Sequence, residues 1–154
     1  MGVAVCVQPH FVAERGDRYL LDVEPRLHAD LYRLQSLLRA GIPLAGGSDA
    51  PFASADPWAA MRAAVNRQTA AGRLLGPEEA LSPEQPLALW LADPSDLQRH
   101  RNVEAGAPAD LCLLDRSWAE ARTRLVADDV ALVLASDEVV HDRVDQPPFE
   151  RGPR

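Results

Sequence analysis

Residues 36–52 read SLLRAGIPLAGGSDAPF, and this stretch decides the predicted fold. Its first part closes a longer segment, residues 26–40, in which leucines recur at the spacing of one helical face. Pro25 stands before that segment and Gly41 follows it, as expected at the two ends of a helix. The next residues, 42–47, form a short apolar segment that predicts a strand.

A second apolar segment lies upstream of this helix. Residues 3–7 read VAVCV and stop at Gln8 and Pro9, a pattern typical of a strand buried on both faces of a parallel sheet. The order strand, helix, strand predicts a βαβ unit with two parallel strands.

Signals of further elements follow along the chain. Asp56 and Pro57 predict the start of a helix that runs to about residue 71. Ser82 and Gln85 form a capping-box pattern that predicts another helix. Residues 93–108 read as irregular and 146–154 as a frayed tail. Short strands are predicted over residues 109–114, 130–135 and 138–141, the last two joined by a turn at Ser136 and Asp137.

Composition excludes several classes of function. The chain has 154 residues, 16 basic and 23 acidic, with a net charge of −7, and this sign disfavours a nucleic-acid partner. Every basic residue is arginine, which excludes Schiff-base chemistry on lysine and a P-loop lysine. No segment is apolar over the length needed to span a bilayer or resembles a signal peptide, so we expect a cytoplasmic protein without a membrane partner. Cys6 and Cys112 fit no metal-binding pattern, and we expect both to be small buried side chains.

Polar side chains follow each of the two predicted parallel strands. Gln8 and His10 come after the first, and Ser48 and Asp49 come after the second. Ligands bind at the carboxyl ends of such strands, so the Asp49 carboxylate is a candidate to bind a metal ion or to accept a proton from water. The alternative is that Asp49 caps a turn through its own backbone. His10 and Asp49 together would still be too few ligands for catalytic zinc.

The remaining candidates are weaker. His28 adjoins the apolar face of the first predicted helix, His100 stands between two arginines, and His141 lies within a predicted strand. Ser48 is not part of the G-x-S-x-G sequence that positions a nucleophilic serine.

Taken together, four stretches resemble the C-terminal portion of the amidohydrolase superfamily. They are VAVCVQPHF at 3–11, SLLRAGIPLAGGSDAPF at 36–52, DPWAAMRAAVNRQT at 56–69 and GAPADLCLLD at 106–115. The nearest subgroup is amidohydrolase 3, which includes N-substituted formamide deformylases and related amide hydrolases.

This resemblance implies a fold. Residues 3–9 and 42–47 would be the seventh and eighth strands of a (β/α)8 barrel, so the expected fold class is α/β: the last two βα units of the barrel, plus strands of a small β-sandwich. We expect residues 1–97 to form the barrel portion, and residues 98–154 to belong to the sandwich and the frayed tail. A complete barrel needs about 250 residues, so the chain is expected to be a C-terminal fragment.

The resemblance also implies a reaction, the hydrolysis of a non-peptide, amide-type C–N bond of a small molecule by metal-activated water. Asp49 matches the aspartate that contacts the divalent metal, expected to be zinc, and shuttles the proton of the water. Gln8, His10 and Ser48 are expected to contact the substrate. The family's His-x-His sequence and bridging lysine are absent, so the isolated chain is expected to be inactive and to bind no metal. It would self-associate or bind a complementing barrel fragment. The alternative is a non-catalytic α/β module that binds a ligand or partner.

Overall fold

A computed structural model of the chain describes residues 3–143 and shows mixed α/β structure. The chain divides into two compact units between Arg101 and Asn102. The assignment of residues 1–97 to a barrel and of residues 98–154 to a sandwich stays a prediction. The predicted frayed tail, residues 146–154, lies outside the described residues.

The first unit combines a parallel strand pair with four helices and a short hairpin. In chain order its elements are β1 (Val5–Val7), α1 (His10–Asp22), a 3-10 helix (Pro25–Asp30), α2 (Leu34–Arg39), β2 (Leu44–Gly46), α3 (Pro57–Asn66), a second 3-10 helix (Pro77–Glu79), α4 (Glu84–Leu91), β3 (Ala92–Asp93) and β4 (Asp96–His100).

The predicted parallel pairing is confirmed. β1 and β2 run side by side, with Val5 opposite Leu44 and Val7 opposite Gly46. One face of this pair packs on helices through a buried core of Val7, Leu34, Leu44, Ala64, Leu81 and Leu89. Within residues 3–143, β1 has no strand on its other edge and the pair is not part of a closed barrel.

The prediction that β1 is buried on both faces is wrong. Cys6 points away from the face formed by Val5 and Val7 and is exposed. Successive side chains of a strand point to opposite faces, and no described element covers the face that carries Cys6. Cys6 is therefore not the small core residue expected from the sequence.

The predicted single helix over residues 26–40 is broken in two. The chain forms a 3-10 helix at Pro25–Asp30 and α2 at Leu34–Arg39, with Tyr32 between them in a left-handed conformation, φ 54°. The carbonyls of Leu31 and Tyr32 accept hydrogen bonds from the buried Arg67 guanidinium instead of continuing a helix. Arg67 is 36 residues away, so the leucine spacing carried no sign of this interruption.

Helix α1 was not predicted. It buries His10, Phe11, Val12 and Gly16 and packs on α3. A Cβ atom on Gly16 would lie 2.6 Å from the Thr69 side chain, so this glycine lets the helix approach residues 67–75 closely.

The second predicted helix, α3, begins as expected and ends early. The Asp56 side chain accepts a hydrogen bond from the Trp58 amide at 2.9 Å and Pro57 is the first helical residue, which confirms the predicted cap. The helix ends at Asn66 rather than near residue 71, because Arg67 adopts φ 54°. The turn that follows is bound to Asp17 of α1, which accepts hydrogen bonds from Thr69, Ala71 and Arg73.

Helix α4 starts at Glu84, one residue later than the capping-box pattern predicts, with Pro83 rather than Ser82 at the N-cap position. The Gln85 side chain accepts a hydrogen bond from the Ser82 amide at 2.7 Å. The prediction that residues 93–108 are irregular is wrong for their first part, because β3 and β4 form a short antiparallel hairpin. Asp93 holds its turn by accepting hydrogen bonds from the amide and hydroxyl of Ser95.

The second unit is a three-stranded antiparallel sheet with a short helix. Its elements are β5 (Leu111–Leu114), α5 (Trp118–Ala121), a 3-10 helix (Ala127–Asp129), β6 (Val130–Ala135) and β7 (Glu138–Asp142), with β6 in the centre of the sheet. The predicted hairpin is confirmed, with Ser136 and Asp137 at its turn in left-handed conformations, φ 51° and 68°. Cys112 is exposed rather than buried as expected, on the outer strand β5. No helix among the described residues has the length and apolar character needed to cross a membrane.

Candidate functional site

The carboxyl ends of β1 and β2 lie side by side at the same end of the sheet. This follows from the parallel register, in which Val7 is opposite Gly46, and from a hydrogen bond of 2.9 Å from the Gly47 amide to the Val7 carbonyl. The four residues expected at the site, Gln8, His10, Ser48 and Asp49, therefore leave the sheet on neighbouring loops. Sequence reasoning placed them correctly along the two strands.

Gly46 and Gly47, at the end of β2, pack closely against neighbouring side chains. A Cβ atom on Gly46 would lie 2.9 Å from the Trp90 ring, and one on Gly47 would lie 2.8 Å from the Cys6 sulfur. A side chain at either position would therefore collide with its neighbour. The glycines of the GGSD sequence serve the packing of the sheet.

Asp49 presents its carboxylate at the surface. Its backbone is left-handed, φ 54°, a conformation that aspartate tolerates better than most residues, and its side chain is exposed. The turn that follows is closed by other groups: the Ser48 hydroxyl accepts from the Ala50 amide at 3.3 Å, and the Asp49 carbonyl accepts from the Phe52 amide at 2.9 Å. Within residues 3–143 the Asp49 carboxylate accepts no hydrogen bond, so the alternative in which it caps this turn is wrong.

His10 is the buried polar group of the site. It begins α1 immediately after Pro9, is 1% exposed, and lies against the Phe11 ring with centroids 4.6 Å apart. Neither ring nitrogen has a hydrogen-bond partner within the described part of the chain. Burial lowers the pKa of His10 below its ordinary value, while the charges of Glu14 and Asp49 oppose that shift and Arg15 adds to it.

The described residues do not supply a complete metal site. Within residues 3–143, no group of three His, Cys, Asp or Glu side chains is arranged to hold an ion. Asp49 and His10 are two potential ligands, whereas a catalytic zinc ion has three protein ligands. The predicted metal role of Asp49 therefore requires ligands from outside this part of the chain.

Two surface cavities of the first unit lie away from the four candidate residues. Cavities of about 390 and 720 Å³ share Gly41, Ile42, Pro43, Leu97 and Gln98, at the amino end of β2. Neither is lined by any of the four candidate residues, which lie at the opposite end of the strand.

The other two histidines of the first unit lie outside the loops after β1 and β2, and His141 belongs to the second unit. The His28 ring lies 2.9 Å from the Val23 carbonyl, His100 is in β4, and His141 is in β7 of the second unit. Sequence reasoning missed Glu14 and Arg15, which contact the loop after Asp49, because α1 was not predicted. The available signal was Phe11, Val12, Gly16, Tyr19 and Leu20, whose small and apolar side chains recur at helical spacing among charged residues.

Comparison with known proteins decides the family. The sequence profile of the amidohydrolase family matches residues 1–141. The chain belongs to this family. An N-substituted formamide deformylase from Arthrobacter pascens is similar to this amidohydrolase chain, with 32% identity over 104 residues, which are 65% of the chain and 19% of the deformylase. The match spans about a fifth of that relative's length. No solved structure matches the chain.

Proposed function

We propose that this chain contributes part of the active site of a hydrolase that cleaves amide-type C–N bonds of small molecules. Membership of the amidohydrolase family supports the reaction class, and the similarity to an N-substituted formamide deformylase supports an N-substituted formamide as the first substrate to test. The match covers 19% of that relative, so the remainder of the site would come from residues outside those described here. The two βα units would then be the last two of a (β/α)8 barrel.

The observation that carries this proposal is the state of Asp49. Aspartate side chains in tight turns can accept hydrogen bonds from the backbone of the turn, whereas this carboxylate accepts none within residues 3–143 and is exposed at a strand's carboxyl end. We propose Asp49 as the catalytic carboxylate, which accepts the proton of the attacking water and returns it to the leaving nitrogen. That proton transfer is the one step that the described residues support.

Three neighbours are proposed to contact the substrate. His10 is buried with both nitrogens unpartnered in the described structure, and a buried polar group of this kind usually has a partner. A substrate oxygen or nitrogen would supply that partner. Gln8 and Ser48 lie on the loops that follow the two strands and offer an amide and a hydroxyl for the same purpose.

Family enzymes generally use a divalent metal ion, which would activate the water in the complete enzyme. This chain is proposed to provide at most Asp49 as a ligand, and the isolated chain is proposed to hold no ion. Zinc is the first metal to test, because it is commonly held by His and carboxylate ligands in hydrolytic sites.

A chimera tests the proposal. In the Arthrobacter pascens deformylase, the stretch that corresponds to residues 1–141 of this chain would be replaced by those residues, and hydrolysis of an N-substituted formamide would be measured. We expect the chimera that carries Asp49 to hydrolyse the formamide. Asp49→Asn in the chimera should lower kcat by about 10²–10⁴-fold. Asp30→Asn, an exposed aspartate of the first 3-10 helix, is the matched control and should leave kcat unchanged. A folded chimera with equal kcat for native Asp49 and Asp49→Asn would refute the catalytic assignment.

A second candidate function rests on the free edge of β1. Within residues 3–143 this strand pairs with β2 alone, and an unpaired strand edge is a template for another strand. The chain could act as a non-catalytic module that binds a complementing barrel fragment or a second copy of itself through this edge. That function requires the isolated chain to unfold cooperatively in calorimetry. The absence of such a transition, with strong binding of a hydrophobic dye, would contradict it.

A further inference from the structure

One turn of α1 holds the loop that follows Asp49. The Arg15 guanidinium contacts two aromatic rings, 4.7 Å from the Phe11 centroid and 4.0 Å from the Phe52 centroid. Its Nη2 atom also donates a hydrogen bond of 3.3 Å to the Phe52 carbonyl. Helix α1 therefore contacts the loop through both the ring and the backbone of Phe52.

Glu14 forms a second connection from the same helix. Its carboxylate accepts a hydrogen bond of 3.2 Å from the Ser54 amide. The Ser54 hydroxyl in turn accepts one of 3.2 Å from the amide of Asp56, the residue that caps α3. The loop is thus bound to α1 at residues 52 and 54 before it enters α3.

These contacts act on Asp49 through Phe52. The Phe52 amide donates to the Asp49 carbonyl at 2.9 Å, so Phe52 and Asp49 belong to one turn. Phe52 is 64% exposed, and its ring packs on Arg15 and, edge to face, on Phe11, with the two centroids 6.2 Å apart. Because the Asp49 carboxylate accepts no hydrogen bond within residues 3–143, the placement of that carboxylate depends on how this turn is held.

We propose that Arg15 and Glu14 are positioning residues that fix the Asp49 loop against the helix beginning at His10. This inference rests on the function proposed above, because positioning Asp49 matters for activity only if Asp49 is catalytic. Neither Arg15 nor Glu14 takes part in the chemistry. Loss of either contact is expected to leave the core folded and to allow the Asp49 turn to open.

Amide hydrogen exchange of the full chain tests this inference. The variants are Arg15→Gln, Glu14→Ala and Glu14→Gln, of which the last keeps an acceptor oxygen for the Ser54 amide. Arg18→Gln is the matched control, because Arg18 lies on the same helix and pairs with Asp22 on the surface. Glutamine and arginine have similar helix propensities, so α1 itself should be unaffected.

We expect exchange at Phe52 and Ser54 to rise about tenfold in Arg15→Gln and Glu14→Ala, as expected when contacts of this strength are lost. The chemical shifts of α3 should not change, while the urea midpoint should fall slightly, because the lost contacts also stabilise the folded state against global unfolding. Glu14→Gln should restore native exchange at Ser54, and Arg18→Gln should have no effect. The Cα and Cβ chemical shifts of Asp49, which report its left-handed backbone, should move in Arg15→Gln and stay in place in Arg18→Gln.

Unchanged exchange at Phe52 and Ser54 in Arg15→Gln would overturn the proposal. Asp49 Cα and Cβ chemical shifts that keep their native values in Arg15→Gln would overturn it as well, because the Asp49 turn would then hold its backbone without Arg15. The test is separate from the hydrolysis assay. If exchange responds as expected while Asp49→Asn leaves hydrolysis by the chimera unchanged, the proposed function is wrong, but Arg15 and Glu14 still fix the loop after Asp49.

Discussion

Arg67 shows how a charged side chain organises this fold at the scale of a single residue. It is fully buried and donates hydrogen bonds to four backbone carbonyls, those of Leu31, Tyr32, Leu75 and Gly76, at 2.9–3.2 Å. Burial lowers its pKa, and the charges of Glu79, Glu78 and Tyr32 oppose that shift. An arginine remains charged in such surroundings. Through its four hydrogen bonds, Arg67 connects the end of the first 3-10 helix to the residues that follow α3.

We predict that Arg67→Met lowers the free energy of unfolding by about 3 kcal/mol, because it leaves several buried carbonyls without donors. Urea denaturation of the full chain measures this loss. Arg39→Met is the control: Arg39 is exposed at the end of α2, and its substitution should change stability by less than about 0.5 kcal/mol. Equal effects of the two substitutions would show that the carbonyl contacts of Arg67 do not stabilise the fold.

His10 is expected to reduce the stability of the isolated chain. Its two ring nitrogens are buried without partners in the described structure, and an unsatisfied buried polar group costs about 1–3 kcal/mol. We predict that His10→Leu raises the free energy of unfolding by about 1 kcal/mol at pH 7. A loss of stability in His10→Leu would show that the imidazole has a partner in the isolated chain.

The same residue predicts a pH dependence. The pKa of His10 is lowered in the folded state by burial, against the opposing charges of Glu14 and Asp49 and with the help of Arg15. The unfolded chain therefore binds this proton first, and His10 makes the chain lose stability as the pH falls below about 6.5. Urea midpoints at pH 7 and pH 5 should differ more in the native chain than in His10→Leu. An identical pH dependence in both chains would contradict the assignment.

Among the helices and strands, those features that depend only on residues close in sequence could be predicted. The apolar segments and Gly41 led to β1, β2 and their parallel pairing, and Asp56 with Pro57 led to the start of α3. The break between Pro25–Asp30 and α2 could not be predicted, because it depends on the distant Arg67. Helix α1 was missed since its charged residues, Glu14, Arg15 and Asp17 among them, obscure its periodicity.

For the candidate site too, the sequence predicted the residues that follow the strands but not the contacts between distant segments. Gln8, His10, Ser48 and Asp49 could be placed from the sequence, because each follows a predicted parallel strand. The contacts of Glu14 with Ser54 and of Arg15 with Phe52 could not, because they depend on the position of α1 across the loop. That Asp49 caps no turn through its carboxylate was also visible only in the structure.

The hairpin of the second unit carries a prediction of its own. Ser136 and Asp137 both have positive φ values, 51° and 68°, the conformation of a type I′ turn, in which glycine is strongly favoured at the second position. We predict that Asp137→Gly stabilises the β6–β7 hairpin by about 0.5–1 kcal/mol, and that Asp137→Val destabilises it. Amide exchange in Val130–Ala135 and Glu138–Asp142 measures both. A loss of protection in Asp137→Gly would contradict the assigned turn.

At the scale of the whole molecule, the chain is an amidohydrolase family member that matches 19% of its deformylase relative. The described residues bring a carboxylate, a buried imidazole and two polar neighbours to one edge of a two-stranded parallel sheet. They contain no group of three side chains arranged to hold a metal ion. We propose that Asp49 belongs to a hydrolytic site whose other ligands lie outside residues 3–143.

Hydrolysis of an N-substituted formamide by the pure 154-residue chain, with Zn²⁺ or Mn²⁺ added, is the measurement that checks this proposal. We expect no metal-dependent turnover, and no difference between the native chain and Asp49→Asn. Metal-dependent turnover by the native chain that is lost in Asp49→Asn would contradict it.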